Sequence, residues 1–332
     1  MAETETDPCR ADFVEHTRHL FVDVAQSGEI AKGRRPARRA VFRKTHGVAS
    51  GVLALDPARP SELREGIFAG DRYPLWMRFS SDVPPDAEDA GNGTIGIGIK
   101  LFGITTPTLA EVDPRAPTAD LILQNHDVFF VDTGSDMCVF SGLALKGRIE
   151  EWFQSHPDTR QILTEVAKRE ESVLTATYWS VLPYAWGAGR AVKYRLRPLQ
   201  SGSSVAPDTD RNRLASDLAK RLAATNATFA FDVQMPLPGR DLPLDQATFR
   251  WLEAEAPFVE LGRIEIDQQD VLVEGQEAYG DTLAFSPWRV PEANQPLGSL
   301  ARSRRRAYPS SAALRHRVNG TPEAESHAPR GR

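Results

Sequence analysis

The order of apolar and polar positions divides the chain into a helical opening, a long β-rich middle and a helical close. Residues 11–32 carry apolar side chains at Phe13, Leu20, Val24 and Ile30 among charged neighbours, a rough helical period that predicts a helix docked across a core. A basic run over 34–43 leads into the stretch THGVASGVLAL at 45–55. Its small and β-branched residues favour a strand with His46 at the start. Residues 75–79, 94–102 and 120–123 read as further strands, each bounded by Gly, Pro or Asp turn residues. Helical patterns cover 140–155 and 157–169, extended ones 177–182 and 191–197, and 209–224 has the charge pattern of a surface helix. Strands at 227–234 and 259–266 flank a Pro-rich connector at 236–243. Residues 287–298 are irregular, 299–318 are helical, and the polar segment 319–332 is expected to be disordered.

Strands in succession, with helices before, between and after them, argue against a doubly wound parallel sheet. They predict an α+β fold: an antiparallel β-barrel with packed helices. A chain of 332 residues, 41% hydrophobic and 26% charged, suits one large core. The expected organisation is a single domain over 1–318, opened by a helix within 1–33 and followed by the tail at 319–332. No run approaches the ~20 apolar residues of a membrane span, and the opening MAETETD lacks the basic and apolar regions of a signal peptide. A cytoplasmic protein without stable membrane insertion is the expectation. With two cysteines, Cys9 and Cys138, neither a disulfide framework nor a thiolate metal cluster can be built, in keeping with reducing surroundings. A net charge of −5 gives no reason to expect nucleic acid as a partner.

Among motifs, residues 91–96 (GNGTIG) match the GxGxxG dinucleotide fingerprint. A strand-like segment follows them where a helix is required, so the phosphate-binding geometry is missing. None of the seven histidines stands in HExxH spacing, and the chain has no CxxC, which argues against a zinc enzyme. His46, three residues after Arg43 in a small-residue strand, is placed to face a cavity. The run Arg304-Arg305-Arg306-Ala307-Tyr308-Pro309, followed by Arg315, His316 and Arg317, puts 304, 308 and 315 on one helix face at i, i+4 and i+11. Two guanidinium groups flanking a phenol favour its ionised form, and a phenolate is a competent ligand for haem iron. The same residues suit an exposed basic helix, and spacing alone does not choose.

Five segments in order, RKTHGVASG, LWMRFSS, DLILQNHDVFFV, AFSPWRVPEANQPLGSL and RRRAYP, resemble the haem catalase superfamily, in which a tyrosine holds the haem iron. The resemblance spans about 43–317. Without a long N-terminal arm, the chain is more similar to the small catalase-related peroxidases. The resemblance implies haem b with Tyr308 as iron ligand and Arg304 keeping the phenol ionised. It makes His46 the distal acid-base residue, with Ser80 fixing its ring. Arg43 and Arg78 would bind haem propionates, and Phe140 would stack near the haem edge. For the third propionate partner, helical spacing selects Arg315 over Arg317. A gap-free match puts Gln124 on the distal amide and Asn125 one residue further; strand alternation lets only one face the iron, and the shorter amide, Asn125, is preferred. Thr45 stands where catalases carry valine, as in the similar coral allene oxide synthases.

The function implied is a haem peroxidase or catalase-like oxidoreductase acting on hydrogen peroxide or organic hydroperoxides. His46 would take the peroxide proton and return it to the departing oxygen, and an unidentified reductant would complete the cycle. Two alternatives are a hydroperoxide isomerase or dehydratase of the allene oxide synthase type and a non-enzymatic haem binder. Homo-oligomerisation stays open.

Overall fold

Runs of β-branched, aliphatic and aromatic residues form the strands, and their period-two alternation sets what each face touches. In the computed structural model, which describes residues 7–89, 93–322 and 325–331, the chain begins with helices α1 (Pro8–Ala11) and α2 (Phe13–Arg18). The latter continues through a wider π-helical stretch, His19–Gln26, into α3 (Ser27–Ala31). Strands β1 (Lys44–Leu55), β2 (Arg72–Ser81), β3 (Ile95–Phe102) and β4 (Thr118–Gln124) follow as an antiparallel meander. Three helices come next: α4 (Gly134–Leu145), α5 (Ile149–Ser155) and α6 (Pro157–Val166). Then come β5 (Tyr178–Trp179), β6 (Tyr184–Ala185), β7 (Ala191–Pro198), α7 (Arg213–Ala224), β8 (Ala227–Gln234) and β9 (Phe258–Ile266). Helices α8 (Gln276–Thr282) and α9 (Ser299–Asn319) close the fold.

The sheet order is β5-β4-β3-β2-β1-β9-β8-β7-β6, and β5 also pairs with β7. That pairing closes eight antiparallel strands into a barrel, with β6 a short hairpin arm of β7. Full closure removes exposed strand edges. The barrel interior is solid. Leu75, Met77 and Phe79 of β2, Ile95, Ile97, Ile99 and Leu101 of β3 and Ala119, Leu121 and Leu123 of β4 all join the principal core. The alternate residues, including Arg78, Ser80, Gly96, Gly98, Ile122 and Gln124, therefore lie on the outer face, which α9, α4 and the N-terminal helices cover.

The α+β barrel expected from the sequence is the observed fold, with local differences. One predicted helix over 140–155 is two, because Gly147 adopts φ +70 between them, and the first starts earlier, where Thr133 and Asp136 cap each other. Helix α8 was not anticipated. Cys9 and Cys138 form a disulfide joining α1 to α4, a single staple that cysteine count and spacing did not predict and that runs against the reading of reducing surroundings. Of the tail, residues 319–322 and 325–331 are described, Asn319 closing α9, and 323, 324 and 332 lie outside the described residues. Glu325 is buried, 2.6 Å from the Lys100 ammonium, which also contacts Asp120 at 2.6 Å. Of the GxGxxG match, Gly91 and Asn92 lie outside the described residues, and Ile95 opens β3.

Candidate functional site

Between the outer face of β2–β4 and the helix layer lies a cavity of about 690 Å³, within the range of sites for sizeable organic ligands. Helix α9 forms one wall. Its start is fixed by Asp245, which accepts from the Ser299 N–H at 2.6 Å, and by the Trp288 indole donating to Ala301 O at 3.0 Å. The helix runs on through Pro309, so Arg304, Tyr308 and Arg315 share one stripe and all reach the cavity. Arg304 also stands over the Phe129 ring, 5.2 Å from its centroid.

The opposite wall comes from β2–β4 and the segment entering β1. Arg43, Arg78, Ser80 and Gln124 line it, and Phe140 of α4 lies at the side. Two glycines, Gly96 and Gly98, keep this wall thin: a Cβ at Gly96 would fall 2.7 Å from the Phe42 ring, and one at Gly98 3.1 Å from Phe285. Apolar residues dominate the rest, among them Leu20, Phe21, Val24, Met137, Ala144 and Val166.

The charge balance is unusual. Arg39, Arg78 and Arg315 are cavity residues removed from bulk water, and Asp281 is the acid that counters them, 3.7 Å from Arg39 and 2.7 Å from Arg38. Burial, reinforced by neighbouring guanidinium groups, lowers all three arginine pKa values, that of Arg39 to about 10. Arg78 donates to Phe42 O at 3.0 Å and to Thr45 Oγ1 at 2.6 Å, and Arg315 donates to Leu283 O at 3.1 Å. The Nε–H groups of both remain buried without a protein acceptor among the described residues. An orphaned charged donor in a dry site is costly unless a ligand satisfies it. The cavity is thus built for a large apolar molecule with anionic groups.

Three sequence expectations require correction or completion. First, His46 does not line the cavity. Thr45 pairs with Ser80 and Gly47 with Phe79, so one extra residue, His46, sits in a β-bulge. Strand alternation counted back from Val48 would put His46 opposite Ser80 on the cavity face; the bulge gives that place to Thr45. His46 turns the other way: its Nε2 shares a hydrogen bond with Ser81 Oγ at 2.5 Å, not with Ser80. Its Nδ1 lies 3.9 Å from Asp89, which is itself 2.6 Å from Lys44. Burial lowers its pKa to about 4, against the pull of Asp89. Second, Gln124 is the amide on the cavity wall. Asn125 faces away, accepting from Ile95 N–H at 3.1 Å and donating to Glu170 at 2.8 Å. Third, sequence reading missed Asp82, just beyond β2, whose carboxylate lines the cavity and accepts from Phe42 N–H at 3.3 Å. Asp82 is solvent-exposed; desolvation by the surrounding protein atoms pushes its pKa upward, against the Phe42 bond and nearby Arg43. Its position after a strand end gave only a turn signal. Arg317, the alternative to Arg315, is exposed.

A closed eight-stranded antiparallel barrel, its cavity on the outer face beneath a helix layer, defines a catalase-type fold. Solved structures agree: catalase A from Saccharomyces cerevisiae superposes with TM-score 0.68 at 14% identity over 90% of this chain. A fungal catalase gives 0.67 at 16% over 90%, and a bacterial catalase 0.65 at 16% over 87%. The chain spans 67%, 65% and 59% of those proteins respectively. No protein-family model and no curated protein sequence matches it.

Proposed function

We propose that the cavity binds haem b through the Tyr308 oxygen and that the protein is a haem peroxidase acting on hydroperoxides, organic ones in preference to hydrogen peroxide. The observation that carries this reading is the pair of orphaned guanidinium N–H groups on Arg78 and Arg315, in a cavity shared with Tyr308 and otherwise largely apolar. They match the carboxylates of a planar macrocycle, with Arg43 as a third partner.

Bound there, haem supplies the redox chemistry that cleaves a peroxide O–O bond. Tyr308 would hold the iron through its phenolic oxygen, with the Arg304 guanidinium one turn earlier on the same cavity-facing stripe. Phe140 would pack against the ring edge. Gln124 would orient the peroxide by donating from its carboxamide NH2, a group that neither takes up nor releases a proton. With His46 enclosed beside Ser81, Asp82 on the cavity lining would be a candidate to hold the peroxide's proton. The apolar wall would receive an organic tail and exclude water.

A second reading, rearrangement of an organic hydroperoxide without net reduction, is favoured by His46 lying outside the cavity lining, since the imidazole of a peroxide-dismutating site would have to face the cavity. The deciding experiment compares absorption spectra of haem-reconstituted wild type and Tyr308→Phe, then adds cumene hydroperoxide with and without an electron donor. A Soret band strongly weakened in the variant supports the ligand assignment. Donor-dependent consumption supports the peroxidase; donor-independent conversion supports rearrangement. A wild type without a Soret band ends the haem reading.

A further inference from the structure

The three side chains Cys9, His16 and Cys138 come from α1, α2 and α4, and one ligand atom from each lies within 4.8 Å of the other two. Both cysteines are buried and His16 is half-exposed. His16 stacks on His19 with ring centroids 5.7 Å apart, yet its ring nitrogens have no hydrogen-bond partner among the described residues. His19 is engaged elsewhere, with Asp23 at 3.1 Å.

We propose that reduction of the Cys9–Cys138 pair opens a site for a borderline-soft divalent ion of the zinc type, held by the two sulfurs and the His16 imidazole, with a solvent molecule as the fourth ligand. This inference does not rest on the haem reading. Its chemistry balances simply. A thiol reductant attacks the protein disulfide; the S–S bond breaks, two protein thiols form, and two reductant thiols leave as their own disulfide. The ion then displaces the two thiol protons, forming two metal–sulfur bonds and one metal–nitrogen bond. Zinc–sulfur bonds of ~2.3 Å and zinc–nitrogen bonds of ~2.0–2.1 Å put tetrahedral ligand atoms about 3.5–3.8 Å apart. The grouping therefore needs only about 1 Å of adjustment once the sulfurs part. Two thiolates and an imidazole select zinc, cobalt or copper(I) over magnesium or calcium. Burial of the sulfurs and exposure of the histidine leave the open coordination position toward water.

The location gives the site its consequence. Thr17 and Leu20 on the N-terminal helical segment and Met137, Phe140 and Ser141 on α4 line the cavity. Either cross-link, covalent in oxidising surroundings or metal-bridged in reducing ones, joins the two elements that form that wall.

Cobalt(II) is the probe. Full-length protein is reduced with a dithiol, freed of it anaerobically and titrated with Co2+, alongside oxidised protein and the variants Cys138→Ser and His16→Ala, each checked for folding by circular dichroism. Expected is thiolate-to-cobalt charge-transfer absorption in the near ultraviolet for reduced wild type alone, saturating at one ion per chain and abolished by excess Zn2+. It should vanish in Cys138→Ser, and the ion should bind at least about tenfold more weakly in His16→Ala. No such absorption in reduced wild type, the same absorption in Cys138→Ser, or unchanged affinity in His16→Ala would overturn the proposal.

Discussion

At the scale of single residues, the cavity holds cationic groups that the protein alone does not neutralise. Burying a guanidinium beside others of its kind stabilises nothing by itself, so Arg315 is retained at a cost to the empty protein. Arg315→Met is expected to raise the stability of the haem-free protein by about 1–3 kcal/mol, read by urea unfolding, while weakening haem binding at least about tenfold in a spectroscopic titration. His46 makes the opposite kind of contribution. Its folded pKa of about 4 lies below the ordinary 6.5, so below pH 6.5 the unfolded chain takes up a proton that the folded chain refuses. Stability from this group is present above 6.5 and lost as pH falls toward 4, by up to roughly 3 kcal/mol. His46→Gln, which can still bond Ser81, should flatten the acid limb of a stability-versus-pH curve in that window; an unchanged slope would show the ring to be solvated. Arg304, Tyr308 and Arg315 share a cavity-facing stripe that helical spacing by itself predicts, whereas Arg43 and Arg78, also on the cavity lining, were named only through the family resemblance. Gln124 and Asn125 were both candidates, and the preference for the shorter amide chose wrongly, because only register decides which neighbour faces in.

At the scale of elements, the N-terminal end of β1 controls the site. A bulge leaves no mark in a pattern of small residues, since the stretch THGVASG alternates equally well with or without an extra position. The sequence therefore predicted the strand and misassigned one face of its first turn-in. Deleting Thr45 should restore continuous pairing from Lys44 onward and bring the imidazole opposite Ser80, in view of the cavity. The expected outcome is oxygen release from hydrogen peroxide at least about tenfold faster than in wild type once haem is loaded. No gain would mean that the contact of Thr45 with Arg78 matters more than a distal base. The break of the α4 and α5 run at Gly147 was likewise hidden, because apolar spacing continues across it and only a positive φ reveals the turn.

At the scale of the whole molecule, barrel closure was predictable from the succession of strands, whereas the behaviour of the C-terminus was not. A polar tail reads as solvated, yet Glu325 completes a buried group with Lys100, Asp120 and Arg289, at 2.6 Å from Lys100 and 3.3 Å from Arg289. Burial, together with Glu325, pushes Asp120 up to about 6 against the pull of Lys100 and Arg289. Long-range charge complementarity of this kind has no periodic signature. Removing residues 320–332 should destabilise the protein by about 3 kcal/mol in thermal or urea unfolding, with little dependence on salt, because the pairs are shielded from it. The barrel has a further bearing on assembly. Its lumen is filled and its ligand cavity lies outside, so the sheet can reach its final form while the cavity is still vacant. A macrocycle of the proposed kind would then enter by parting helices from strands rather than strands from each other, and its loading would be uncoupled from folding.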